Sequence, residues 1–256
     1  MPGAAYYPKA NRDVQNFAGR YGGSRITPNV LVLHTTESGT WPSYSSGSVA
    51  PTLTAYPDRG AKRLVWRQHF PLTMSARALQ NLSGGVETNT LNAVQIELVG
   101  TCTKTYRDKY GYFYWPAAPD WALQGVADFL AWLHKEWPKV ALEAAPKWLP
   151  YPSSYGNTPV RMSGAQWSNF SGVCGHQHVP ENVHGDPGDI DAARIVTLAK
   201  GRSDVRERPV GPSKPEQPKP RPLQAVRASL REIRRDSHNA VVNARVSAAL
   251  KALRAK

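Results

Sequence analysis

The sequence has few cysteines and no long apolar run, and each shortage excludes a class of protein. Only Cys102 and Cys174 occur among 256 residues, and neither belongs to a CxxC pair, which excludes a zinc site built from cysteines alone. The two thiols could form a disulfide or stay free and buried. No segment approaches the ~18 apolar residues of a membrane span, and residues 1–30 lack a signal-peptide apolar run. We therefore expect a soluble chain without a standard export signal or a transmembrane segment.

Acidic residues are also scarce, above all near the C-terminus. Residues 201–256 hold 14 of the 32 Lys+Arg and 5 of the 19 Asp+Glu, a net charge of +9. Residues 1–200 hold the other 18 basic and 14 acidic residues, a net charge of +4. A sequence pI near 9.9 suits a polyanionic partner such as nucleic acid, anionic lipid or an acidic wall polymer. The charge alone does not choose among these three partners.

Composition and periodicity divide the chain into three parts. Strand-like and helix-like segments alternate through residues 1–203, which predicts one α/β domain. Six prolines between residues 208 and 222 predict a stiff, extended linker over residues 204–222. Residues 223–256 resume helical spacing with many arginines, which predicts a basic amphipathic helical tail. That tail could pair two chains, lie on an anionic membrane or anchor the protein to a wall polymer.

Within residues 1–203, periodicity predicts both strands and helices. The strands are a buried segment that ends near His34, a hairpin of residues 51–56 and 62–69, an alternating segment at residues 93–99, and a short segment at residues 172–176. The helices cover residues 74–80, 120–137, 163–170 and 190–200.

Side chains able to bind a metal follow several of these strands. A mononuclear catalytic zinc needs three ligands of the His, Asp, Glu or Cys kind and an open position. His34 ends one strand, His176 follows another, and Asp186 precedes a Pro-Gly pair. His178 is a rival, because it would share a face with His176 if the strand continued, although Pro180 indicates that the strand stops. An acid, Glu97, lies on a third strand among apolar neighbours.

These segments carry a family resemblance. The sequences VLHTT at residues 32–36, VQIELVG at residues 94–100 and the GH…DPG pattern of residues 175–188 resemble the N-acetylmuramoyl-L-alanine amidases of the peptidoglycan-recognition-protein (amidase-2) type. The closest likeness is to endolysins of phages that infect actinobacteria. The resemblance spans roughly residues 26–200 in order and spacing and does not reach the tail. It implies a mixed central sheet flanked by helices.

The resemblance also assigns roles. The family's zinc ligands fall on His34, His176 and Asp186, and together they would hold one Zn²⁺ ion. The family's catalytic acid falls on Glu97, and the cation before the last ligand, usually a lysine, falls on His184, which would hydrogen-bond the oxyanion of the reacting carbonyl. Some relatives use a tyrosine near the first hairpin strand. Residues 50–53 offer none there, so we expect Glu97 to carry the proton transfers alone.

The expected function is therefore zinc-dependent cleavage of the amide between the muramoyl lactyl group and L-alanine of peptidoglycan, which would lyse a host cell. Such a protein would stay in the host cytoplasm until lysis and then act in the cell wall and periplasmic space. One alternative is a peptidoglycan-binding module without catalysis. Another is a nucleic-acid-binding protein driven by the basic tail, although no DNA-reading motif supports specific nucleic-acid binding. Further partners would be an anionic wall polymer or membrane surface, or a second copy through residues 223–256.

Overall fold

The computed structural model describes residues 3–21 and 23–207, with side chains as far as Arg202. The expected linker from residue 208 and the helical tail of residues 223–256 lie outside the described residues. Within the part described, the domain is α/β with a single mixed sheet, as the sequence predicts. No helix in this part is both long and apolar enough to cross a membrane.

The sheet has six strands and the order β1-β4-β3-β5-β2-β6. The strands are β1 (Ala10–Asn11), β2 (Val30–Thr35), β3 (Leu53–Asp58), β4 (Arg63–Gln68), β5 (Ala93–Leu98) and β6 (Gly172–Gly175). Strands β3 and β4 form the expected antiparallel hairpin, and every other neighbouring pair is parallel. Strand β2 lies between β5 and β6 in the parallel part, where it is buried along its whole length. Buried parallel strands explain the continuous apolar run that precedes His34.

Two of the helices cover one face of this sheet, and a short helix that carries Trp167 packs against Val30 and Val32 on the other face. The α-helices are α1 (Lys104–Tyr110), α2 (Asp120–Glu136), α3 (Gly164–Asn169) and α4 (Ala192–Glu207). Helix α2 begins after Pro119, ends before Pro138, and buries the stripe that its spacing predicts, from Leu123 to Leu133. This stripe joins side chains of α4 and alternate side chains of β2, β5 and β3 in the main apolar core.

The other face carries a row of polar side chains that crosses five strands. Cα pairing aligns His34 with Glu97, Glu97 with Thr54, Thr54 with Arg67, and Arg67 with Asn11. Residues paired in this way point to the same face of a sheet. We call these five residues the polar row. It places groups from sequence positions 11 to 97 along one line.

Two element predictions need correction. No helix forms at residues 74–80, because the backbone N–H groups of this segment donate elsewhere: Ser75 to Ser24, Arg77 to Ala50, and Ala78 to the side chain of Gln95. Helix α1 was not expected, because it buries no residue and therefore has no apolar stripe.

Helix α4 also differs from its expected bounds. It continues to Glu207, beyond the expected end at residue 200 and into the segment expected as linker.

Candidate active site

His34 lies near the carboxyl end of β2 and is 1% exposed. Its neighbours in the parallel sheet are Glu97 on β5 and, beyond the last residue of β6, His176. Ligand sites of parallel α/β sheets form at the carboxyl ends of the strands, because the loops that leave these ends meet there. The position of β2 between β5 and β6 thus explains why residues 34, 97 and 176 come together.

His176 and Asp186 belong to one loop that leaves β6. The strand ends at Gly175, and His176 opens a short 3₁₀ turn of residues 176–178. The loop then returns so that Asp186 is buried beside His34. Gly185 permits this return, since a Cβ there would lie 2.3 Å from the backbone of Ser154.

The three predicted ligands converge. The Nδ1 atoms of His34 and His176 are 3.1 Å apart. Asp186 Oδ2 lies 3.5 Å from His34 Nδ1, and Asp186 Oδ1 lies 3.3 Å from His176 Nδ1. All three residues are buried, and their ligand atoms lie within 4.8 Å of one another. Two imidazoles and a carboxylate form a donor set suited to one borderline divalent cation such as Zn²⁺.

Hydrogen bonds orient these ligands for a metal. The side chain of Asn182 donates from Nδ2 to the carbonyls of Gln80 and Pro180, so its Oδ1 is the acceptor. His176 Nε2, 3.0 Å from that oxygen, must then carry the hydrogen, which leaves a lone pair on Nδ1. The backbone N–H of Thr35 donates to Asp186 Oδ2 at 3.0 Å. Such outer contacts fix the tautomer and orientation of metal ligands.

The protonation states also suit a cation. Burial, followed by the charge of His176, lowers the pKa of His34 to about 4, so His34 is neutral at pH 7. Burial alone would raise the pKa of Asp186, but the adjacent imidazoles of His176 and His34 hold it well below the usual range. The residues present therefore fit a metal ion.

Glu97 faces this group from the adjacent strand. Its side chain is partly exposed, but Oε2 is buried and has no hydrogen-bond partner. Burial raises the pKa of Glu97 well above its ordinary value, and the negative charges of Asp186 and Glu37 raise it further. A carboxyl group with a raised pKa can hold a proton near neutral pH, as a general acid or base must.

Tyr44 lies beside Thr54, the β3 neighbour of Glu97. Its hydroxyl lies 2.6 Å from Thr54 Oγ1, which lies 2.8 Å from His69 Nε2. His69 Nδ1 donates to the carbonyl of Gln15 at 2.8 Å, so Nε2 accepts from Thr54, and Tyr44 in turn donates to Thr54. A tyrosine therefore does lie beside the first hairpin strand, next to the partner of Glu97. It comes from the preceding loop, through the left-handed backbone of residues 44–47.

His184 is exposed on the solvent side of the same group. Its ring stacks on that of His176, with 5.2 Å between centroids and 10° between planes. Its Nδ1 lies 3.9 Å from Asp186 Oδ1, and the Tyr155 ring is 6.0 Å away. The structure thus places His184 next to the candidate ligands, where its side chain can turn towards a bound molecule.

The remaining residues of the loop have structural contacts. His178 is buried with Nδ1 beside the backbone of Gly175 and Nε2 2.8 Å from the carbonyl of Lys147, so both ring nitrogens face backbone atoms. The side chain of Glu181 accepts a hydrogen bond from the backbone N–H of Val86. Asp191 caps α4 by accepting a hydrogen bond from the backbone N–H of Arg194.

The two thiols and the loop aromatics are also placed. Cys102 and Cys174 are both free and buried, so they form no disulfide. Eight aromatic residues from the loops differ in exposure. Trp115 is a fully buried core residue and Tyr44 is nearly so. The others are partly or well exposed: Trp41, Tyr112, Tyr114, Trp148, Tyr151 and Tyr155.

Comparison with known proteins adds one structural likeness. No protein-family model and no curated protein matches the chain. Among solved structures, the chain is similar to a point mutant of PlyL, with 13% sequence identity and a TM-score of 0.36, over 73% of this chain and 87% of that chain.

Proposed function

We propose that this protein is a zinc-dependent N-acetylmuramoyl-L-alanine amidase that hydrolyses the amide between the muramoyl lactyl group and L-alanine of peptidoglycan. The observation that carries the proposal is the convergence of His34, His176 and Asp186 beside the carboxyl group of Glu97. The sequence resemblance supplies the identity of the scissile bond.

The metal would be held by His34, His176 and Asp186. When bound, a Zn²⁺ ion would polarise the scissile carbonyl and make water more acidic. Glu97 would accept the proton of the attacking water as a new C–O bond forms, and would then deliver that proton to the amide nitrogen as the C–N bond breaks. His184 would donate a hydrogen bond to the carbonyl oxygen, where negative charge develops. The products are a muramoyl carboxylic acid and a peptide with a free L-alanine amino group.

In a cell, the proposed role is that of a phage endolysin. It would remain in the host cytoplasm until lysis and then reach the wall. The basic segment after residue 207 would contact an anionic wall polymer or a membrane surface, or would join two chains. The sequence resemblance supports the endolysin role, and the excess of lysine and arginine after residue 200 supports contact of the basic segment with an anionic surface.

Cleavage of purified peptidoglycan tests the proposal. We expect the wild-type protein loaded with zinc to release peptides that begin with L-alanine, identified by mass spectrometry. Glu97→Ala should slow release by about 10²- to 10⁴-fold, the usual contribution of a general acid–base group, while zinc content stays near one ion per chain. Glu143→Ala is the matched control, because Glu143 is an exposed glutamate outside the site, and it should leave the rate unchanged.

Metal removal completes the test. A chelator should abolish release, and added Zn²⁺ should restore it. Cleavage at a different bond, or full activity in chelator, would show the amidase proposal to be wrong. Binding of peptidoglycan without release of fragments would favour the non-catalytic binding module instead.

A further inference from the structure

Arg67 is a half-buried cation in the polar row, on the same face of the sheet as His34 and Glu97. Its guanidinium carbon lies 3.8 Å from the centre of the Trp41 ring, and Trp41 stacks in turn on Tyr56 at 5.4 Å and 19°. A guanidinium stacked on an aromatic ring keeps its N–H groups in a fixed plane and free at the edges. The stack therefore presents a pre-oriented cation to solvent.

This cation is not neutralised by the part of the chain that the structure describes. Arg67 Nη1 donates a hydrogen bond to the neutral Gln15 Oε1 at 3.1 Å. No carboxylate among the described residues forms an ion pair with Arg67. Gln15 is itself held by its Nε2, which donates to the carbonyl of Pro42. Most of the five guanidinium N–H donors are thus left for a bound molecule.

The distance from Glu97 indicates which part of a substrate would reach Arg67. Two strand spacings separate β5 from β4, which is about 10 Å between the Cα atoms of Glu97 and Arg67. An extended peptide covers about 10 Å in three residues. On the sugar side of the scissile bond, the lactyl carboxylate is consumed in the amide. Carboxylates near this bond therefore belong to the peptide.

We propose that Arg67 and Trp41 form a subsite that binds a free carboxylate on the second or third residue of the substrate peptide. The inference rests on the proposed amidase function and adds a preference to it: peptides whose carboxylate is free would be cut faster than peptides in which it is amidated. Bidentate pairing of a guanidinium with a carboxylate is the contact that this geometry offers.

The test uses zinc-loaded full-length protein and soluble muramoyl tripeptides that begin with L-alanine, in which the carboxylates of residues two and three are each free or amidated. Arg67→Met removes the charge and keeps much of the side-chain length. Arg67→Lys keeps the charge without the planar fork. Arg59→Met is the matched control, because Arg59 also stacks on an aromatic ring, that of Phe113, but lies in the β3–β4 turn.

We expect Arg67→Met to lower kcat/KM roughly 10- to 100-fold for a free-carboxylate probe, the usual effect of losing a charged hydrogen bond, and less than about threefold for its amide. Arg67→Lys should recover part of the loss, and Arg59→Met should change neither probe. An equal loss on both probes, or no loss on either, would overturn the proposal, since a purely structural role of Arg67 does not depend on the carboxylate.

Binding separates this inference from the amidase proposal. The dissociation constants of the same probes are measured on Glu97→Gln protein, with and without Arg67→Met. If wild-type protein cuts no probe, the amidase proposal fails, and binding alone then decides the subsite. The subsite is supported if free-carboxylate probes bind more tightly than their amides and Arg67→Met removes the difference. It is rejected if the dissociation constants of the two kinds of probe are equal.

Discussion

At the scale of single residues, the hydrogen-bond partners of each buried histidine determine its chemistry. His176 donates through Nε2 to Asn182, which leaves Nδ1 for a metal. His69 has the opposite arrangement, because the Gln15 carbonyl takes its Nδ1 hydrogen and Thr54 donates to Nε2. His69 therefore has no room for a second ring proton without breaking the bond from Thr54.

The stability of the protein should consequently depend on His69 in weak acid. Burial, the main cause, lowers the pKa of His69 from the usual 6.5 to about 4. Between these values the unfolded chain binds a proton that the folded chain does not, so stability falls as the pH falls from about 6.5 towards 4. We expect His69 to account for about 2 kcal/mol of the loss between pH 7 and pH 5.

Urea denaturation of wild-type and His69→Gln protein, both saturated with zinc, measures this contribution. The free energy of unfolding of the variant should fall by about 2 kcal/mol less over the same pH interval. Parallel curves for the two proteins would show that His69 takes up no proton on unfolding in this range.

At the scale of elements, close packing sets where helix α2 lies on the sheet. Gly125 faces β4, and a Cβ at this position would lie 2.6 Å from Leu64 Cγ. Alanine favours a helix over glycine by about 1 kcal/mol, but overpacking a tight contact costs about 1–3 kcal/mol. The steric cost should exceed the propensity gain.

Three variants test this balance by chemical denaturation. Gly125→Ala should lower the free energy of unfolding by about 1 kcal/mol in wild-type protein and raise it by up to about 1 kcal/mol in a Leu64→Ala background. Gly201→Ala is the control, because Gly201 lies in α4 and a Cβ there would meet no atom within 4 Å, and it should stabilise the protein. A stabilising Gly125→Ala in wild-type protein would contradict the steric argument.

The elements also show what the sequence can predict. Buried strands and amphipathic helices have a clear period, so β2, β5, β6 and α2 were found near their observed positions. The convergence of His34, His176 and Asp186 followed from strand ends and from the resemblance.

Contacts between distant segments leave no local pattern. The absence of a helix at residues 74–80 depends on acceptors from residues 24, 50 and 95. The position of Tyr44 depends on a left-handed turn of residues 44–47, in which only residue 47 is a glycine. Arg67 could be assigned to the face of the sheet that carries His34 and Glu97 only when its register with Thr54 and Glu97 was known.

At the scale of the whole molecule, most of the net charge belongs to a part of the sequence that contains none of the candidate site residues. Residues 208–256 hold 12 Lys+Arg and 3 Asp+Glu, a net charge of +9 out of +13. Attraction of such a segment to a polyanion weakens as salt rises. Wall attachment and catalysis should therefore be separable.

A chain of residues 1–207, which ends with α4, tests this separation. It should cut soluble muramoyl peptides within about twofold of the full chain, because diffusion of a small substrate needs little steering. Its retention on sedimented peptidoglycan should be weaker and less sensitive to NaCl. A full-length variant with Arg231, Arg234 and Arg235 changed to glutamine is the control for charge. The segment after residue 207 would be assigned to self-association instead if both variants are retained on peptidoglycan as well as the full chain and the mass of residues 1–207 in solution is half that of the full chain.

The central position of β2 has a consequence for synthesis of the protein. The strand is made early, but one of its sheet neighbours is β6, and the two candidate ligands that His34 meets, His176 and Asp186, lie 142 and 152 residues beyond it in the sequence. A ribosome-bound chain that has not yet released Asp186 has no complete metal site, and contacts this distant in sequence form slowly. Copies that end before Asp186 would therefore be inert, and the activity would arise only after the loop that carries Asp186 has been made and has folded.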